Sequence, residues 1–269
     1  MLGRAHPTIR RLRALRRDPR QREAEGVFLA EGTHLAEEAL RAGAPVELAL
    51  VSLGLDRTVE GRHLRARLAS SGTHVEETSD DVLDSLQDAR SPQPVLLLVR
   101  RATVGLANVL DEGRPGAPLL VVAHGVQDPG NLGGILRTAD AAGATGFVAT
   151  GHGADLFHPR TIRATMGSIY RIPCATADVE AVLAALPHRG VIAVATEADR
   201  GVPFDLHDFR VPTALLFGNE GGGLGEEIAE RCQASVRIPM RPGVESLSVG
   251  AAAAVLLFEA ARQRRRPET

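Results

Sequence analysis

Three polar segments hold the side chains best suited to chemistry in this chain: Gln127 to Thr138, Gly218 to Leu224, and Ile238 to Val249. Each follows a short apolar run and leads toward a helical pattern, which places it at the end of a buried strand. Their amide, guanidinium, carboxylate and hydroxyl side chains suit them to hold a polar ligand. The glycines from Gly218 onward leave main-chain groups open to close approach by something flat. Three such loops point to one site.

Several other chemistries are excluded by what the chain lacks. All 31 basic residues are arginine, so a Walker-A phosphate loop, a Schiff-base enzyme and any methyltransferase with a catalytic lysine are ruled out. No Gly-x-Gly-x-x-Gly turn follows the strand that ends near Ala123, and Gly221-x-Gly223-x-Gly225 follows a late strand and has Glu226 where the last glycine belongs. Cys174 and Cys232 have no paired spacing and read as buried thiols. His124, His152 and His158 read as hydrogen-bonding loop residues, and no metal is expected. No apolar run is long enough for a membrane span, and the Arg-rich N-terminus lacks the pattern of a signal peptide, so a cytoplasmic location is expected.

The net charge of −2 conceals a segregated distribution. Arg4, Arg10, Arg11, Arg13, Arg16, Arg17, Arg20 and Arg22 face only Asp18, a basic arm suited to a phosphate backbone on an otherwise acidic chain. The alternative for this arm is a solvated helix face. Arg262, Arg264, Arg265 and Arg266 read as a solvated helix end.

These residues need elements to position them. A helix over 7–17 opened by Pro7, a strand over 27–30, a helix that Thr33 can cap, strands over 46–51 and 95–99, helices over 59–69 and 80–89, and a short strand near 74–77 form an alternating α/β unit. Residues 103–117 hold glycine and proline in a pattern that breaks helix and strand and marks a linker between domains 1–102 and 118–269. Beyond it, apolar runs at 119–123, 147–150, 191–196, 214–217 and 235–238 read as buried parallel strands, with helices beginning near Asn131, Pro159, Asp178, Gly225 and Leu247.

Asn131-x-Gly133-x-x-x-Arg137-Thr138-Ala139, Gly218-Asn219-Glu220-Gly221-x-Gly223-Leu224, and Ile238-Pro239-Met240 with Glu245-Ser246-Leu247 resemble the three ordered motifs of the SpoU/TrmH-type RNA ribose 2′-O-methyltransferases of the SPOUT superfamily. Arg163 to Ser168 resembles the family's short helix after its second strand. Phe28 to Gly32 and Ser91 to Pro94 resemble its smaller L30e-like substrate-binding domain. The resemblance implies a parallel α/β sheet closed by a deep trefoil knot, a homodimer, and S-adenosylmethionine held by Thr196, Gly218, Ile238, Pro239, Met240, Ser246 and Leu247. It also implies attack of a ribose 2′-oxygen on the donor methyl, with Arg137, Asn131, Glu220, Ser246 and Ser248 at the reaction. RNA contacts are expected from Arg10, Arg11, Arg13, Arg20 and Arg163, with ribosomal RNA the expected substrate.

Arg137 matches the family's catalytic residue, yet a guanidinium stays protonated in proteins, so a phosphate clamp suits it better than a general base. Asn131 is expected to orient Arg137 or the ribose, and Glu220 to pair with Arg137 or hold the loop. Ser248 stands where the family usually has Asn. Other readings remain: a transfer-RNA substrate, a non-catalytic RNA-binding or ribosome-assembly protein, and a base methyltransferase using Cys174 after Pro173.

Overall fold

The computed structural model describes residues 1–87, 93–101, 105–111 and 116–265, which form two compact units. The first contains Met1–Thr103 together with Phe157–Arg171, and the second contains Val104–Leu156 and Ile172–Thr269.

In the first unit, strands β1 (Val27–Glu31), β2 (Val46–Ser52), β3 (His74–Thr78) and β4 (Val95–Arg100) form a sheet in the order β1-β4-β2-β3. β4 runs antiparallel to both neighbours, while β2 and β3 are parallel. Ile9, Leu12 and Leu15 of the helix Pro7–Arg17 pack into a core with Leu29, Leu50 and Leu98. Their spacing of three puts them on one helical face. Residues 157–171 return from later in the chain. Their helix, Pro159–Thr165, carries Arg163, whose Nη1 donates to the buried Glu31 carboxylate at 2.8 Å, and the Phe28 ring lies 5.6 Å from Phe157 and 6.0 Å from Tyr170.

The second unit is a seven-stranded parallel sheet. Its strands are β5 (Leu119–His124), β6 (Gly146–Thr150), β7 (Cys174–Ala177), β8 (Ile192–Glu197), β9 (Val202–Pro203), β10 (Thr213–Phe217) and β11 (Ala234–Arg237), in the order β7-β6-β5-β10-β8-β11-β9. β6 and β10 are buried along their whole length, as apolar runs covered on both faces should be. The chain builds outward from β5 through β6 to β7, then returns to the other side of β5. The order therefore reverses where β10 lies between β5 and β8. In open parallel sheets that reversal leaves a crevice at the strand carboxyl ends. The helices Pro129–Ala141 and Val249–Arg264 pack against each other in this unit.

Several local expectations change. Thr33 begins its helix but does not cap it; Gly32 is the N-cap, at a φ of +104° that favours glycine, and no side chain caps the helix. The helix from Asp80 ends at Asp84, and the rest of its expected span, like Ser91 and Pro92, falls partly outside the described residues. Within the segment read as structure-breaking, Leu106–Asp111 is helical and buries Val109 and Leu110 in the second unit's core; their apolar side chains outweigh the surrounding glycines. A further short helix, Pro19–Glu25, and the edge strands β7 and β9 carried no clear periodic signal.

Arg264 is not a solvated end. Its guanidinium donates to the carbonyls of Phe209 at 2.6 Å, Ala117 at 2.5 Å, Pro118 at 3.1 Å and Val211 at 2.7 Å, and burial lowers its pKa from the usual value. The planar fork of an arginine can saturate several acceptors at once, which ties the last turn of the C-terminal helix to the segments entering β5 and β10. Arg22 likewise leaves the basic arm: it is 2 % exposed and donates to the carbonyls of Leu15 and Arg16.

Candidate active site

The loop after β5 is shaped before any ligand is considered. Gly125 takes a φ of +64° and donates to the Thr150 carbonyl, and the Gln127 amide spans the carbonyls of Gly125 and His152 at 2.9 and 2.6 Å. Asp128 then caps the helix Pro129–Ala141, its Oδ1 accepting from Asn131 N at 2.9 Å, with Pro129 in the first turn where a missing N–H costs nothing.

The loop after β10 closes on itself. Asn219 and Gly223 exchange backbone hydrogen bonds, and Asn219 Oδ1 accepts from the N–H groups of Gly221 and Gly222 at 2.9 and 2.6 Å. Gly218 is required there, because a Cβ would lie 2.0 Å from the Gly223 carbonyl carbon.

Glu220 connects the two loops. One oxygen accepts from Gln127 N at 3.0 Å, the other from Asp128 N at 3.2 Å and from Asn131 Nδ2 at 2.9 Å. Burial works to raise the Glu220 pKa, but the hydrogen bonds from Asn131 and the loop amides prevail and hold it below the ordinary carboxylate value. Of the two roles open to Glu220, the geometry matches loop-holding. Arg137 lies six residues beyond Asn131 on the helix, about 120° round from it. It is exposed and makes no hydrogen bond or ion pair among the described residues.

Beside this junction, a cavity of about 380 Å³ opens at the carboxyl ends of β8 and β10, within the ~300–1,000 Å³ of small-molecule sites. Thr196, Gly218, Ile238, Met240, Ser246 and Leu247 all line it, whereas Pro239 stands between two lining residues without lining it itself. Phe217, Val249 and Leu256 supply apolar wall that the motif residues did not include. Asn131, Arg137 and Ser248 do not line it. Ser248 is the N-cap of the helix Val249–Arg264, its Oγ accepting from Ala251 N at 3.3 Å. Serine and asparagine are both strong caps, so its departure from the family's Asn keeps the helix start intact.

Cys174 does not have the environment of a nucleophile. It begins β7, its thiol reaches the Ile172 carbonyl, and burial, aided by Asp140, pushes its pKa well above the usual thiol value, opposite to what thiolate chemistry needs. Among the described residues, no group of three His, Cys, Asp or Glu side chains comes together in a metal-binding arrangement.

In the first unit, the five arginines expected to meet RNA are not equivalent. Arg11 is engaged by Glu25 at 2.7 Å and by Glu47, and Arg163 by Glu31. The side chains of Arg10, Arg13 and Arg20 have no partner among the described residues.

A parallel sheet that gathers three polar loops at its carboxyl ends, with a cavity where β8 and β10 end, beside a reversal of strand order, defines an α/β protein with a candidate small-molecule site. Residues 118–258 match the SpoU rRNA Methylase family and residues 6–97 the MRM3-like substrate binding domain, and the chain belongs to the SpoU rRNA Methylase family. It is 30 % identical over 239 residues to the 23S rRNA (guanosine(2553)-2′-O)-methyltransferase RlmP of Bacillus subtilis, covering 89 % of this chain and 90 % of that one. Its fold is similar to that of the SpoU methyltransferase AviRb from Streptomyces viridochromogenes in complex with the cofactor AdoMet. That likeness has a TM-score of 0.88 at 28 % identity and covers 96 % and 98 % of the two chains. An AdoMet-bound rRNA methyltransferase from Sinorhizobium meliloti gives 0.85 at 32 % identity, covering 97 % of each chain.

Proposed function

We propose that this protein transfers a methyl group from S-adenosylmethionine to a ribose 2′-hydroxyl of RNA, with 23S ribosomal RNA as the substrate. The observation that carries this reading is the Glu220 junction, which fixes the Asn131 loop and the Gly218–Leu224 loop together next to the cavity. The cavity fits the donor. Ile238, Leu247 and Phe217 offer apolar wall to a flat base, main-chain groups around Gly218 can meet its polar edges, and the carboxylates at the rim suit a cation.

Bound there, S-adenosylmethionine supplies a methyl already activated by its positive sulfur. The chain's own residues then have mainly to align the acceptor, and orientation accounts for ~7–11 kcal/mol in well-ordered reactions. Asn131, its amide fixed by Glu220, orients the ribose; Ser246 and Ser248 lie on the acceptor side. Arg137 holds the adjacent phosphate with its planar fork of donors, while the hydroxyl proton passes to phosphate or water.

The reading includes a homodimer. The exposed Val255 and Phe258 of the C-terminal helix are suited to such an interface. The same reading assigns 1–102 to substrate binding, 103–117 to a linker and 118–269 to catalysis, with a trefoil knot in the last. No helix among the described residues is long and apolar enough to cross a membrane, which is in keeping with work in the cytoplasm.

Calorimetry with S-adenosylmethionine, followed by labelled methyl transfer to ribosomal RNA lacking the modification, tests the proposal. Donor binding and a new ribose 2′-O-methyl group are expected. Donor binding with no transfer to ribosomal or transfer RNA would instead support a scaffold that retains the fold.

A further inference from the structure

The wall of the 380 Å³ cavity is unevenly charged. Glu197, Asp199, Glu220 and Glu226 line it, against Arg200 as the single cationic lining residue. Glu197 is the most enclosed of the ion-paired acids there, with its side chain 14 % exposed at the carboxyl end of β8. Arg200 reaches it at 3.1 Å and Glu226 at 3.3 Å, so one guanidinium spans from the loop after β8 to the helix Glu226–Ala229. Arg237, the cross-strand neighbour of Glu197, donates instead to the Gly201 carbonyl. The wall keeps an excess of negative charge even with Arg200 in place.

The consequence follows from the donor proposed above, on which this inference rests. When the methyl leaves, the carbon–sulfur bond breaks and its electron pair stays on sulfur. A cation becomes a neutral thioether of nearly the same shape. Apolar walls and main-chain hydrogen bonds to the atoms the two share hold both forms alike; beyond the methyl's own contacts, an electrostatic field distinguishes them. We propose that Glu197 and the surrounding acidic wall select the sulfonium donor over the neutral product, and that Arg200, by partly neutralising the wall, sets how strong the selection is. The device favours product release, because the force that draws the donor in disappears with the transferred methyl.

Two substitutions should move the selectivity in opposite directions. The test measures dissociation constants for S-adenosylmethionine and S-adenosylhomocysteine by calorimetry on the full chain, at low and high salt. Glu197→Gln, which keeps the shape and removes the charge, should lower the preference for the donor roughly three- to ten-fold at low salt. Arg200→Gln should raise it by a similar factor, and because Arg200 is exposed this variant stays informative even if Glu197→Gln folds poorly. Both shifts should shrink as salt is added. If the wild type binds both ligands and neither variant changes their ratio, the inference is overturned while the methyl-transfer reading stands. If the wild type binds neither ligand, the parent reading fails and takes this one with it.

Discussion

Asn131 Nδ2 donates to Glu220 Oε1 at 2.9 Å, and through this bond a residue in the first turn of one helix is positioned by a loop 89 residues away in the chain. The two loops leave β5 and β10, which are adjacent and parallel. Neighbouring strands thus deliver both partners to the same edge of the sheet.

Removing the Glu220 carboxylate should therefore disturb alignment more than donor binding. Glu220→Ala leaves Asn131 and two loop amides without their acceptor where water can replace it, so it should cost little stability, and it should lower methyl transfer at least ten-fold with a smaller change in donor affinity. In a double-mutant cycle with Asn131→Ala, the two losses should be far from additive. Additive losses would mean that the bond does not matter to the reaction.

The same carboxylate gives a pH signature. Its folded pKa lies below the ordinary 4.5, so its contribution to stability is complete above that value and is lost as the pH falls through the folded pKa. Thermal melts of wild type and Glu220→Gln followed by circular dichroism should differ most at neutral pH and converge in acid below about pH 4. A gap that widens in acid would contradict the sign of the shift.

Arg137→Lys keeps the charge and removes the planar fork. Transfer should fall roughly ten- to a hundred-fold, with the affinity for S-adenosylmethionine unchanged. A lysine variant at full rate would eliminate both the phosphate clamp and a guanidine base.

Arg264→Met removes donors to four carbonyls around the end of the C-terminal helix. A loss of about 2–4 kcal/mol is expected, read as a lower Tm, and Arg264→Lys should recover only part of it because an ammonium cannot match the fork. Arg262→Met, by contrast, breaks only exposed hydrogen bonds to Glu259 and should change Tm little.

At the cap, Ser248→Ala should cost about 1 kcal/mol and Ser248→Asn only a few tenths. If Ser248→Asn raises the transfer rate without changing Tm, the side chain has a role with the acceptor beyond its cap.

The basic arm should divide by function. Arg10→Ala or Arg20→Ala should weaken RNA binding and reduce its salt slope by about one without affecting Tm. Arg22→Ala should do the reverse, since its guanidinium holds the carbonyls of Leu15 and Arg16 in the interior. Counting charges along residues 4–22 does not separate these roles, because burial is set by which face of the short Pro19–Glu25 helix turns inward.

Local pattern determined much of this protein. Branched apolar runs required buried parallel strands, the polar loops that follow three of them marked the site, and the absence of lysine excluded whole reaction classes. These properties depend on residues within a few positions of one another, so order along the chain is enough to see them. Tertiary structure alone decided which partners meet. It gave Glu220 to Asn131 and the loop amides rather than to Arg137, moved Arg264 from solvent to a cage of carbonyls, put Arg163 on Glu31, and joined Arg200 to Glu226. Such choices follow from strand order and helix rotation, which a side chain's neighbours in sequence do not specify, and a long arginine or a short carboxylate takes whichever acceptor or donor the packed fold brings within about 3 Å.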